Sequence, residues 1–176
     1  MDDVGGIILK KITLVEILLL ISLLSLICTG CTSAKLAKSQ IANQKTAKKM
    51  CKNIIRGINN KNTDDLEKYF CERDYNDDDF EDEIEDLFYL FDEEILSYDL
   101  DYKGETSLSV RDGKIVKQAD KIYIKNIVCG SNKDEKYLII IERYITNKIN
   151  TEKEGISTFI VQDSDNNVIL RVGGSD

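Results

Sequence analysis

The chain has 176 residues and a 42% hydrophobic composition, enough for one globular domain with a buried core and a leader segment. Its 32 acidic residues outnumber its 24 basic residues and give a formal charge of −8, so nucleic acid is not a predicted partner. The chain contains no His, which excludes His-based catalytic triads and most zinc sites, and no cofactor is predicted.

Residues 1–30 have the composition of a secretory signal peptide. Lys10 and Lys11 form its basic part, and residues 17–27 are an uncharged apolar run. Small residues follow this run, as they do before a signal-peptide cleavage site. We therefore expect the leader to be removed and the chain to be exported.

The end of the leader predicts a site of lipid attachment. Leu26-Ile27-Cys28-Thr29-Gly30-Cys31 resembles the bacterial lipobox, in which a diacylglycerol is attached to the cysteine and the chain is cleaved before it. Cys28 stands where leucine is usual. We therefore predict a lipoprotein held by Cys31 on the extracytoplasmic face of the cell membrane, with Cys28, Thr29 and Gly30 as its lipobox. The alternative is an uncleaved span over residues 12–30, which requires that Glu16 be tolerated within the bilayer.

A polar spacer and an amphipathic helix follow the lipobox. Residues 31–44 are small and polar, which predicts a spacer before a domain at residues 45–176. Apolar residues recur at helical spacing from Ala47 to Ile58. The opposite face is basic, and we predict that it contacts anionic lipid or wall polymer through Lys45, Lys48, Lys49, Lys52 and Arg56. The alternative is a solvated face of a surface helix.

Two more helices are predicted before the sheet. Thr63, followed by Asp64 and Asp65, is typical of an N-cap with acidic residues in the first turn. Aromatic and aliphatic residues at helical spacing predict the other helix over residues 79–91. The chain therefore begins its folded part with three helices.

The acidic segment before the third helix partly matches a calcium-binding loop. The first, third, fifth and last ligand positions of that template fall on Asp74, Asn76, Asp78 and Glu85. Asp79 occupies the position where the template needs Gly for a sharp turn. These four residues are the candidate metal ligands, and a solvated acidic loop is the alternative.

Beyond Phe91 the pattern changes to runs rich in Ile, Val and Tyr. It predicts five strands, at residues 94–102, 121–128, 137–144, 155–161 and 168–172. Turn-forming residues separate the strands, as at Asp112-Gly113 and residues 163–167. Helices followed by antiparallel strands predict an α+β fold with the helices on one face of the sheet.

Three cysteines remain besides Cys31, so they cannot all pair with one another. A disulfide between Cys51 and Cys71 would suit an exported protein. Buried thiols that behave as small apolar side chains are the alternative.

Residues 61–70, 84–91, 94–98, 135–137 and 155–159 together resemble an uncharacterised family of Gram-positive lipoproteins that carries a domain of unknown function. The resemblance covers residues 45–161. It implies a cone-like fold similar to nuclear transport factor two and the cystatins, in which three N-terminal helices wrap a curved antiparallel sheet. It implies no catalytic residues.

No residue pattern in the chain marks a catalytic centre, so we predict a non-enzymatic protein that binds a small ligand, a peptide or a component of the cell envelope. A partner-binding or scaffold lipoprotein at the cell surface is the alternative. An enzyme with a buried Asp/Tyr pair is a third interpretation, and its candidates on the strands are Tyr98, Asp99, Tyr123, Tyr137, Glu142 and Tyr144.

Overall fold

A long amphipathic helix, α1, opens the folded part of the chain. The structure, a computed structural model, describes residues 38–130 and 132–174, with only the backbone described at residues 132–136. Helix α1 covers residues 38–60, so the helix already includes residues 38–44, which composition alone assigns to the spacer. Its predicted apolar stripe is confirmed, because the following residues are buried: Ala47, Met50, Cys51, Ile54, Ile55 and Ile58.

Three shorter helices follow: α2 at Thr63–Glu67, α3 at Glu72–Tyr75 and α4 at Phe80–Leu90. The N-cap of α2 is Asn62, one residue before the predicted cap, because the Asp65 amide donates to Asn62 Oδ1 at 2.9 Å. The sequence does not predict α3, since four residues are too few to show helical periodicity. The described residues therefore contain four helices before the sheet, where the sequence predicts three. None of these helices has the length and apolar composition needed to cross a bilayer.

The rest of the domain is a five-stranded antiparallel sheet with neighbouring strands in chain order. Its strands are β1 (Ile95–Arg111), β2 (Lys114–Cys129), β3 (Asn132–Asn147), β4 (Gly155–Gln162) and β5 (Val168–Val172), with a short 3-10 helix at Thr151–Lys153 before β4. All five predicted strands are confirmed, but the first three are longer than predicted. Asp112 and Gly113 join β1 to β2 with φ values of 51° and 69°, as a two-residue hairpin turn requires.

The core lies between the helices and one face of the sheet. Ile122 and Ile124 of β2 pair with Ile141 and Ile139 of β3, and all four are buried. They form one hydrophobic cluster with apolar residues of α1, α2, α4 and β4. This arrangement confirms the predicted α+β fold.

Candidate functional site

A buried ion pair joins β2 and β3. Arg143 donates through Nε to Asp120 Oδ1 and through Nη2 to Asp120 Oδ2, both at 2.7 Å. Asp120 is fully buried and Arg143 is only 8% exposed. This bidentate pairing occupies both carboxylate oxygens. It also compensates two charges that would each be very costly to bury alone.

Helix α1 closes over this ion pair. Arg143 Nη2 also lies 3.4 Å from the Asn43 carbonyl oxygen, and its Nη1 lies 3.6 Å from Met50 Sδ. Next to the ion pair, the Gln118 amide of β2 donates to the Glu105 carboxylate of β1 at 2.9 Å. The ion pair is therefore an enclosed polar cluster beneath the N-terminal half of α1.

Tyr102 and Cys51 border the ion pair. The Tyr102 hydroxyl donates to the Asp120 carboxylate, and burial together with this negative charge raises the pKa of Tyr102 to about 12. Burial also raises the pKa of Cys51 to about 12, against the opposing influence of Arg143. The buried Asp120 and the half-buried Tyr102 thus form an Asp/Tyr pair, but Arg143 already holds the carboxylate. A thiol with a pKa as high as that of Cys51 is a weak nucleophile. The geometry favours a structural role for this cluster.

The buried thiols and Tyr102 predict sensitivity to alkaline pH. The pKa of Cys71 is also raised, to about 11, chiefly by burial, so all three groups lose their protons more readily in the unfolded chain. Their contribution to stability is complete below the ordinary pKa of a thiol and is lost as pH rises toward 11–12. We expect the urea midpoint of the chain to fall steadily between about pH 8 and pH 11, and less steeply in Cys51→Ala. A midpoint independent of pH over that range would contradict this assignment.

A second group of polar side chains lines an open cleft of about 320 Å³. The backbone explains how its elements meet, because the Cys71 amide donates to the Ile156 carbonyl at 2.9 Å and the Ile156 amide donates to the Tyr69 carbonyl at 2.8 Å. These bonds hold the start of α3 beside β4. The cleft is lined by Arg73, Glu142, Tyr144, Lys153, Ser157, Thr158 and Gly174.

The charges of this cleft favour an anion. Glu142 is its one acidic side chain, and it forms an ion pair with Lys121. Arg73 Nη2 lies 2.8 Å from Asp74 Oδ1, which holds the guanidinium at the cleft wall. Lys153 adds a second cation, and three hydroxyl groups complete the lining. Two cations suit a carboxylate or phosphate group. The Ser157 and Thr158 hydroxyls already donate to the carbonyl oxygens of Glu142 and Ser157, at 3.4 Å and 2.7 Å, so the cations supply the attraction.

A second open cleft, of about 400 Å³, lies between α4 and β5. It is lined by Asp86, Tyr89, Leu90, Asp92, Ile169 and Leu170. Tyr89 is 86% exposed and Ile169 is 42% exposed, so the rim of this cleft is more apolar than that of the cleft around Arg73 and Lys153, which we call the cationic cleft. It has no basic side chain in its lining.

A family comparison covers most of these features. The profile of a domain of unknown function, DUF5104, matches residues 53–164 of the chain. The chain belongs to the DUF5104 family. No curated protein matches it. The DUF5104 match runs from α1 to just past β4, so it includes the buried ion pair and all lining residues of the cationic cleft except Gly174.

The structure places the predicted residues of this DUF5104 chain in three different situations. The lipobox residues Cys28, Thr29 and Gly30 and the lipidation site Cys31 lie outside the described residues. The basic residues of α1 are all exposed: Lys45, Lys48, Lys49, Lys52 and Arg56. Cys51 and Cys71 are buried thiols that are not joined in a disulfide.

The four candidate calcium ligands are not arranged as a loop. Asp74 lies in α3 and is 1% exposed, and Arg73 Nε donates to its Oδ1 at 2.9 Å. Asn76, Asp78 and Glu85 are exposed, and Glu85 lies in α4. Because helices occupy much of this segment, the extended loop of the calcium template is not formed. Among the described residues, no group of three or more Cys, Asp or Glu is placed to hold a metal ion.

The ion pair between Asp120 and Arg143 is not among the predicted features, although the sequence contains a signal for it. Asp120 stands in phase with Ile122 and Ile124 on β2, and Arg143 stands in phase with Ile139 and Ile141 on β3. A charged residue that stands where the alternation of a strand calls for an apolar one is expected to be buried. When two neighbouring strands each carry such a residue and the charges are opposite, the two are expected to pair. Among the strand candidates for an enzyme, Glu142 and Tyr144 line the cationic cleft.

Proposed function

We propose that this DUF5104 chain is a lipoprotein whose domain binds a small anionic ligand, such as the carboxyl end of a peptide, outside the cell membrane. The observation that supports it is the cationic cleft, where Arg73 and Lys153 lie beside hydroxyl groups at the surface. Binding rather than catalysis fits a carboxylate, Asp120, that is enclosed and already paired.

The membrane location in this proposal depends on Cys31. In a bacterial host that processes lipoproteins, we expect the full chain to incorporate labelled palmitate and to fractionate with the membrane. Cys31→Ala is expected to lose the label and to accumulate as an uncleaved precursor, because the acyl chains and cleavage both require this thiol. Cys129→Ala is the matched control and should keep the label. A Cys31→Ala chain that is still labelled and cleaved would overturn the lipid anchor.

The ligand part of the proposal depends on the cleft. We expect the full chain in detergent to bind acetyl-Ala-Ala through its free carboxylate more tightly than the same peptide with an amide end, as measured by calorimetry. Lys153→Glu should weaken binding roughly tenfold or more, because a charge-assisted hydrogen bond becomes a repulsion. Lys148→Glu changes the charge equally on an exposed residue outside the cleft and should not alter binding. Equal affinity for the acid and the amide would overturn the proposal.

A scaffold role is the second candidate, and the cleft between α4 and β5 favours it. Tyr89 projects almost fully into solvent beside Ile169 on the edge strand of the sheet. Exposed aromatic residues of this kind commonly anchor protein partners. In this function the partner would pack against Tyr89 and pair with the free edge of β5.

We also propose that the sheet is curved into a cone like that of nuclear transport factor two. Support comes from five register irregularities between β1 and β2, since bulges bend and twist strands. The placement of the core on one face of the sheet is consistent with this shape.

A further inference from the structure

The outer end of the β1–β2 hairpin extends past the rest of the sheet. We call residues 108–117 the ribbon tip. The register of β2 against β3 ends at Lys117, which faces Asn147, and one further bond joins the Lys148 amide to the Val116 carbonyl at 2.8 Å. Beyond Val116, among the described residues, β1 and β2 pair only with each other. The ribbon tip exposes three large apolar side chains, Leu108, Val110 and Ile115, at 40%, 55% and 37%.

These three side chains share one face of the ribbon. Val110 pairs with Ile115, and Leu108 lies two residues before Val110 on the same strand. Ser109, between them, pairs with Lys117, whose ammonium lies over the Tyr144 ring at 5.0 Å on the other face of the sheet. The apolar face is therefore the one that packs against helices elsewhere in the domain. Single exposed apolar residues are common, but a group on one face at a projecting end suits a binding surface.

The charge of the ribbon tip is opposite to that of the chain. Arg111, Lys114 and Lys117 are basic, and Asp112 is the only acidic residue between positions 106 and 119, in a chain of net charge −8. Apolar side chains surrounded by cations are the composition of surfaces that bind anionic membranes. An acidic chain approaches such a membrane most favourably through its basic parts.

The ribbon tip lies towards the same end of the domain as Asn43 in the first part of α1. The end of α1 is fixed to the start of β1, because Asn59 Nδ2 donates to the Ile95 carbonyl at 3.1 Å and Asn59 Oδ1 accepts from the Ile95 amide at 2.9 Å. Near the other end of α1, the Asn43 carbonyl contacts Arg143, which is held by Asp120 beside the middle of β1. Helix α1 and strand β1 therefore run in opposite directions.

The tether to this end of the domain is short. Cys31 lies seven positions before Lys38, where α1 begins, which is at most about 25 Å of extended chain. We propose that the ribbon tip docks on the anionic membrane surface to which Cys31 is attached, with Leu108, Val110 and Ile115 in the lipid interface and Arg111 and Lys114 against lipid phosphates. This inference rests on the lipid anchoring proposed above. It gives the domain a fixed orientation on the membrane.

A tryptophan substitution tests this docking directly, because the chain contains no Trp. The lipidated full chain carrying Val110→Trp would be reconstituted into phosphatidylcholine vesicles containing brominated lipid, with or without phosphatidylglycerol. With phosphatidylglycerol, we expect a blue-shifted emission and a loss of roughly half the fluorescence by bromine quenching. The matched control is Leu96→Trp, which replaces a 60% exposed residue at the opposite end of β1 and should not be quenched.

The charge requirement has its own variant. Combining Val110→Trp with Arg111→Glu and Lys114→Glu should abolish the quenching, because each cation near an anionic surface strengthens binding roughly fivefold. Flotation of the vesicles separates this result from a failure of the anchor, since a chain that does not float lacks its lipid. A floating chain with an unquenched Val110→Trp overturns the docking. A blue shift that needs no vesicles and grows with protein concentration also overturns it, in favour of a second copy as the occupant.

Discussion

Asp120→Ala is expected to lower the free energy of unfolding by about 3–5 kcal/mol, because it leaves the Arg143 guanidinium buried without a counter-ion. The side chain of Arg143 is enclosed by α1, β2 and β3, so it cannot reach water without opening the core. Urea denaturation of the detergent-solubilised chain measures the loss. The matched control is Asp101→Ala, which removes a partly exposed carboxylate paired with Lys103 and Lys125 and should cost less than about 1 kcal/mol.

A double replacement distinguishes the effect of losing the ion pair from the effect of losing the volume that its side chains fill. Asp120→Leu combined with Arg143→Met removes both charges and keeps apolar volume, so it should recover most of the stability lost in Asp120→Ala. Tyr102 then loses its acceptor, which limits the recovery. If Asp120→Ala costs no more than Asp101→Ala, the ion pair must be hydrated in solution and its enclosure by α1 would be wrong.

The ion pair also shows what a sequence pattern can and cannot reveal. Hydrophobic periodicity correctly predicts α1, α4 and all five strands, because each depends on which face of one element is buried. The same periodicity also predicts the burial of Asp120 and Arg143, because both stand at positions where the strand pattern calls for a buried apolar residue. Their pairing depends on the register of β2 against β3, which places Asp120 opposite Arg143 and which the turn residues alone do not specify.

The cationic cleft could not be predicted in the same way. Arg73 lies about 70 to 85 residues before the β3 and β4 residues that share the cleft with it. Their meeting depends on an isolated parallel bridge between Phe70 and Ile156, which leaves no periodic mark in either segment. The short helix α3 that carries Arg73 is also missed, because four residues are too few to show helical periodicity. The lipid attachment at Cys31, in contrast, is a prediction from a local motif and needs no knowledge of the fold.

Gly155→Ala is expected to destabilise the domain by about 3 kcal/mol or more, because this glycine lies where the helical segment meets the sheet. Its φ of 120° is a conformation that residues with a Cβ rarely adopt. A Cβ at this position would also lie 2.9 Å from the Phe70 carbonyl group and the Cys71 amide nitrogen. Those atoms belong to the backbone next to the bonds that join Tyr69 and Cys71 to Ile156, so they cannot move aside without breaking the bridge.

The matched control for Gly155 is Gly113→Ala in the hairpin turn. Gly113 also has a positive φ, of 69°, but no heavy atom lies within 4 Å of its added Cβ, so the expected cost is only about 1–2 kcal/mol. Gly155→Ala should in addition abolish binding of acetyl-Ala-Ala at temperatures where the chain is still folded, because the same bridge holds Arg73 at the cleft. If Gly155→Ala and Gly113→Ala lose equal stability and both bind the peptide normally, the Phe70–Ile156 bridge does not position the cleft. If Gly155→Ala alone loses binding while Gly113→Ala keeps it, the cleft depends on the long-range contact that brings α3 to β4.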